Sequence, residues 1–283
     1  MSTQKDPLSK ALAPDRVFYA TGALLDQEDF TAEQLYHRGR SARALAYLHG
    51  TGTVAGLDVN VQTNGEEVLM VSAGMAVDRL GRIIELPRAA CLRIGRWFET
   101  QLADPVGHDR LANSFRTGTG GQPDGVVVDV FVKFEVCERG KQPAFATGNY
   151  DALDAVAPSR LRDGYRLELV IREEDPVPVP DPGFPDLSGM TPEEIKARVI
   201  QYKLQEAWKE STAWTGPGET LNLLPEQVQG QDGTELLLAR LLIPATQSPL
   251  QRDPNVAIIV DNTLRQFVFS TSELMWLSGV ILG

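Results

Sequence analysis

The spacing of hydrophobic and polar positions changes period several times along the chain, and each change marks an expected element. Residues 1–17 are polar and irregular, after which Phe18-Tyr19 and Leu24-Leu25 flank the turn residues Thr21-Gly22 and an acidic cluster fills 26–29. Thr31 followed by Gln34 has the form of a capping box, in which each side chain satisfies an orphan backbone donor, and it predicts a helix over 32–48. Leu35, Ala42, Leu45 and Leu48 form one apolar stripe on it, leaving Arg38, Arg40 and Arg43 wet. From Gly50 the period becomes two. Leu57, Val59 and Val61 alternate with Asp58 and Asn60, Asn64-Gly65 supplies a type I′ turn, and 68–72 is the return strand. Residues 74–86 read as a second strand pair turning at Leu80-Gly81, so 50–90 is a small antiparallel unit.

The middle of the chain holds the clearest strand. A short helical or irregular stretch around Trp97 and Phe98 leads to a Gly- and Thr-rich loop at 113–125. Then Val126, Val128, Val130, Val132, Phe134 and Val136 share one face of a strand that is apolar on both faces in its first half, which places it centrally in a sheet. Tyr165, Leu167, Leu169 and Ile171 repeat the alternation and are expected to pair in the same sheet. Five prolines between 175 and 190 predict an extended linker, because each removes an amide donor and fixes φ. Thr191, Pro192 and Glu194 form a second capping box, opening a helix from 192 to about 209; strands over 236–243 and 256–260 follow, and an apolar segment, 273–282, closes the chain.

These elements predict a mainly β protein of antiparallel sheets, a sandwich or a partly open barrel, with an N-terminal helix and one further helix after the Pro-rich linker. The expected organisation is an arm and helix over 1–49, a β domain over 50–174, the linker at 175–190, and a closing part over 191–283 packed on the β domain. With 283 residues, 42% hydrophobic and 23% charged, such a chain buries enough surface to need no staple.

Charge narrows the partners. Twenty-seven Lys and Arg against 38 Asp and Glu give a net charge of -11, the wrong balance for a surface that wraps duplex nucleic acid. Residues 1–14 have no apolar core of the secretory type, and no run is long enough for a membrane helix. A cytoplasmic protein, or one assembled into a particle made in the cytoplasm, is expected, without membrane insertion. Cys91 and Cys137 make neither a metal knuckle nor a disulfide framework, and are read as buried thiols.

Candidate chemistry is sparse. Gly50, Gly52 and Gly56 follow a helix and precede a strand, the reverse of a dinucleotide fingerprint, and read as a sharp turn. Gly118 to Gly121 lacks the Lys-Ser or Lys-Thr pair of a phosphate loop. His37, His49 and His108 are not spaced as helical zinc ligands, and Ser188, Ser270, Ser272 and Ser278 lack a nucleophile elbow. Asn149, Asp151 and Asp154 come closest to a calcium loop but lack the downstream bidentate Glu, so a self-bonded turn is the better reading. Asp26, Glu28 and Asp29 suit the positive end of the helix that follows. No catalytic residue, cofactor or metal is therefore expected.

A solitary globule leaves the two apolar ends unexplained. Phe18, Tyr19, Leu24, Leu25 and Phe30 precede the first helix, and Leu274, Met275, Trp276, Leu277, Val280, Ile281 and Leu282 close the chain; they pack either on their own core or on a neighbouring subunit. The series from Phe18 to Leu25, then Asp29-Phe30, Glu33-Gln34, Tyr36-His37, His49-Gly50 and 52–59, resembles proteins found beside phage-tail-like contractile injection systems. Further resemblance lies in 73–78 with Gly81-Arg82, in 159–165, in Leu238-Ala239-Arg240, and in Asp261-Asn262 with Arg265. A Gly-Leu hairpin with a glycine-rich return and Gly-Arg also looks like the baseplate-attaching portions of phage tail proteins. The resemblance implies more cysteines in the middle of the chain, before Ser159-Arg160, where Cys137 stands alone here, so no shared metal or disulfide feature is carried over.

The resemblance implies a non-enzymatic structural or adaptor subunit of such a particle, of baseplate or tail accessory type, in a homo- or hetero-oligomer. Partner-binding residues would be Phe18, Tyr19, Leu24, Leu25, Leu274, Met275 and Trp276, with the 113–125 loop and the proline linker reaching outward. A carbohydrate- or cell-surface-binding module using Trp97, Trp208, Trp214 or Tyr150 is the alternative, and a glycoside-type hydrolase a second one.

Overall fold

The computed structural model describes residues 3–4, 6–9, 15–63, 66–143, 156–181, 187–205 and 221–282. Among them the strands form three antiparallel sheets, and the sheets do not close into a barrel. The large sheet is built on β9 (Gly125–Pro143), whose one edge pairs with β8 (Phe115–Arg116) and β10 (Val156–Ile171). Its other edge pairs with β11 (Leu236–Gln247) and with β1 (Thr3–Gln4). β12 (Leu250–Arg252) and β13 (Ile259–Asp261) extend the sheet from β11. The central place expected for the Val-rich strand is thus observed.

Two three-stranded sheets face it. One is β2 (Gly52–Gly56), β5 (Gly74–Val77) and β6 (Ile83–Leu86); the other is β3 (Val59–Thr63), β4 (Glu67–Val71) and β7 (Ala90–Arg93). Helices α2 (Ile94–Ala103) and α3 (Pro105–Asn113) follow. One continuous core joins Val126 to Val136 of β9 and Leu238 and Leu241 of β11 to Leu57, Leu69, Ile84 and Leu86, with Phe98 and Leu111 from the helices. Alternation places the β9 residues on that face, and the expected hairpins 59–71 and 74–86 supply the opposing layer. The Asn64-Gly65 turn lies outside the described residues.

Helix α1 (Gln27–Leu48) begins a turn earlier than the capping pattern at Thr31 predicts. Asp26 is the N-cap: its carboxylate accepts from the Glu28 and Asp29 amides, and Asp29 accepts from the Asp26 amide, while the Thr31 hydroxyl donates to the Gln27 carbonyl within the helix. The acidic box wins because an anion also opposes the positive end of the helix. Only Gly39 and Ala42 are buried, and Leu48, expected in the stripe, is exposed. Gly81 explains the close seat. Its φ is +78°, and a Cβ there would stand 1.8 Å from the Ala42 carbonyl oxygen, so the β5–β6 turn lies directly on the helix backbone.

Buried ion pairs tie the layers together. Asp6, beside the short 3-10 turn Pro7–Ser9, meets Arg38 of α1 at 3.2 Å and Arg82 at 3.5 Å. Arg38, expected to be wet, is half-buried and paired. Arg82 also donates to Asp78 (2.7 Å) and Thr234 (3.0 Å) and lies over the Phe134 ring. On the other face of the large sheet, Asp129 accepts both from Arg240 (2.8 and 3.0 Å) and lies 3.4 Å from Arg172.

Two further expectations are corrected. Cys91 is exposed and Cys137 half-buried, since each sits on a strand position facing away from the core. Residues 175–181 of the proline linker do not reach outward: Arg240 donates to the carbonyls of Val177 and Pro178, and Gln266 to that of Asp181. The closing apolar segment is a helix, α5 (Thr271–Leu282). The helix after the linker, α4 (Pro192–Gln205), has the expected Thr191–Glu194 box and buries none of its residues; 206–209 lie outside the described residues.

Candidate functional site

The N-terminal arm reaches α1 through a turn at Gly22, where φ is +87° and the Ala23 amide donates to the Ala20 carbonyl at 3.1 Å. Tyr19 folds back and its hydroxyl donates to the Glu33 carboxylate; that bond to an anion raises the phenol's pKa. Glu33 also faces His37 at 3.9 Å. The arm is pinned at one side chain while its apolar groups stay in water: Phe18 is 83% and Leu24 98% exposed, and Leu25 and Phe30 are exposed as well.

At the other end the chain is strapped down before it departs. Asn262 accepts from the Val59 amide (3.0 Å) and donates to the Val59 carbonyl (2.8 Å), imitating a neighbouring strand along the β3 edge. Arg265 donates to the Leu57 carbonyl (2.7 Å) and to the Asn262 side chain. Burial lowers the Arg265 guanidinium to about 10, so it remains a cation at neutral pH. Gln266 and Val268 bond the backbone of Thr53 (both 2.9 Å), and Gly52, with a virtual Cβ 2.6 Å from the Gln266 oxygen, gives that strand room. Beyond the strap Ser270 and Glu273 cap α5, and Leu274, Met275 and Trp276 are exposed. All seven residues expected to bind a partner are therefore exposed. What the sequence did not reveal is the strap, whose Asn262 and Arg265 reach residues more than two hundred positions away.

The candidates for other chemistry do not converge. His37 and His108 each lie near a local carboxylate, and His49 ends α1, twelve positions and more than three turns from His37. Among the described residues no group of three His, Cys, Asp or Glu could hold a metal ion. Asn149, Asp151 and Asp154 lie outside the described residues, as do Tyr150, Trp208 and Trp214. Trp97 packs half-buried against the core. A groove of about 390 Å³ opens between β3 and residues 257–260, lined by Asp58, Asn60, Glu67 and Asn262 among others. Its polar groups are already engaged: Arg252 holds both oxygens of Glu67 (2.5 and 3.0 Å), and Asn262 belongs to the strap. Among the described residues no helix is long and apolar enough to cross a membrane.

Compared with known proteins, the chain matches no family model and no curated sequence.

Proposed function

We propose that the protein is a non-enzymatic structural or adaptor subunit of a phage-tail-like contractile injection particle, joined to its neighbours through its two apolar ends. The observation that carries this reading is the exposure of large apolar side chains at both ends, on segments anchored to the body: the arm through Tyr19 and the Asp26 cap, α5 through the Asn262–Arg265 strap. Apolar groups left in water on a fixed segment are ready to be covered by a partner with little ordering cost. The particle setting rests on the resemblance of the motifs above. Several of those motifs hold the body together here: Gly81-Arg82 seats α1, and Asp261-Asn262 with Arg265 contains the strap.

Deleting residues 1–30 is a poor test, because it removes Asp6 and the α1 cap together with the arm. Substitutions Phe18→Ser with Leu24→Ser, and Leu274→Ser with Trp276→Ser, touch only exposed groups. Both pairs are expected to leave the circular dichroism spectrum unchanged and to abolish co-purification with sheathed particles, read by mass spectrometry. Undiminished incorporation of both variants overturns the proposal.

A further inference from the structure

β9 and β10 continue past the sheet that holds them. They stay in one register from Val128 and Ile171 to Pro143 and Val156, with a local break at Gly140, where φ is +63°, whereas the other edge of β9 is covered by β11 only as far as Val132 and by β1 at Val136 and Cys137. Among the described residues no third strand lies beside the six outermost positions of each, 138–143 and 156–161, which form a two-stranded ribbon roughly 20 Å long with Cys137 and Arg162 at its base. Alternation puts Cys137, Arg139, Lys141 and Pro143 of β9 on one face; the register sets Arg162, Arg160, Pro158 and Val156 opposite them in turn. Four cations therefore share one face. Arg139, Lys141, Arg160 and Arg162 are all exposed, and among the described residues none has an ion-pair partner.

This arrangement is costly as it stands. Arg139 is directly opposite Arg160, and like charges at a cross-strand pair destabilise a ribbon that is marginal to begin with. Nearer the body the same face is balanced, Lys133 lying between Glu168 (2.8 Å) and Glu235 (3.2 Å), and Arg166 against Glu135. Charges that merely deter strand pairing can be of either sign; here the sign becomes uniform where the neighbouring sheet ends. The outer part of this face turns apolar at Pro143, Val156 and Pro158.

We infer that this ribbon face receives the N-terminal end of α1 from a second copy of the chain. That end has the complementary pattern: Asp26, Glu28 and Asp29 within one turn, without ion-pair partners among the described residues, flanked by exposed Leu24, Leu25 and Phe30. Acids meet the four cations, and the apolar flank meets the ribbon's apolar end. The net charge of -11 supplies acidic surface on every copy, whereas a polyanionic nucleic acid would be repelled by the rest of the molecule. Because ribbon and arm are different patches, the contact is heterologous and propagates into a ring or an open array. The inference deepens the assembly reading by naming one neighbour as the chain itself.

The test is a charge exchange on the purified full chain, read by sedimentation velocity. Wild type is expected to associate at about 0.02 M salt and to disperse at about 0.5 M. Arg139→Glu with Arg160→Glu, and separately Glu28→Lys with Asp29→Asn (which retains the acceptor for the Asp26 amide), should each weaken association at least tenfold, roughly. An equimolar mixture of the two variants should restore it, since the acidic arm of the first fits the unaltered ribbon of the second. A monomeric wild type at low salt, association indifferent to ribbon reversal, or a mixture that stays dispersed overturns the inference. So does retention of duplex DNA by the wild type that ribbon reversal abolishes. Self-association with the expected exchange, but no incorporation into particles, sinks the particle reading and leaves this one standing.

Discussion

At the scale of single residues, the informative positions are those where a buried charge or a missing Cβ decides the outcome. Glu226 is buried, one of its carboxylate oxygens has no hydrogen-bond partner among the described residues, and burial raises its pKa in spite of Arg79 and Arg172 nearby. A carboxyl raised on folding binds its proton more tightly in the native state, so its contribution is most favourable at acid pH and is lost as pH rises through the native value. Glu226→Gln is expected to add about 1 kcal/mol of stability at pH 7, a gain that vanishes below about pH 4, measured by urea denaturation at both values. Gly81→Ala should cost more than about 2 kcal/mol, since it adds a strained left-handed φ to a collision with the α1 backbone; an unchanged midpoint would mean that the helix sits elsewhere. The turn at Gly81 was legible from the flanking alternation. The partners of Asp129 and Arg82 were not, because polar pairing across the fold, Asp129 with Arg240 and Arg82 with Asp6 and Thr234, leaves no periodic trace; the only hint was a carboxylate in the otherwise apolar run from Val126 to Val132.

At the scale of elements, period and caps performed well where the environment was simple. The β3–β4 and β5–β6 hairpins, the central β9 and the start of α4 all follow from alternation or from a capping box. The start of α1 was misread because two boxes compete within six residues and the earlier one adds the helix dipole. Length is harder still: nothing in the alternation announces that β9 and β10 outrun their neighbours, since polar residues then occupy both faces. The strap is the element most open to test. Asn262→Ala leaves the buried Val59 amide and carbonyl without partners, which should cost about 1–3 kcal/mol and accelerate hydrogen exchange at Val59 more than in β9. A uniform change across the sheet would show that the strap is not a local fastening.

At the scale of the whole molecule, a closed core coexists with two apolar ends and a charged ribbon that it does not use. Replacing Leu24 and Trp276 together by Ser is expected to shift the thermal midpoint by less than about 2 °C, as for exposed positions generally. A larger fall in calorimetry would mean that the ends pack on their own body. The ribbon's connection to that body has a mechanical consequence. β9 is a single strand from the core to the tip, gripped by β10 along its length and by β11 near its base. A neighbour pulling on the tip along the strand therefore loads many backbone bonds in shear at once, rather than peeling them in succession, and delivers the force straight to the hydrophobic centre.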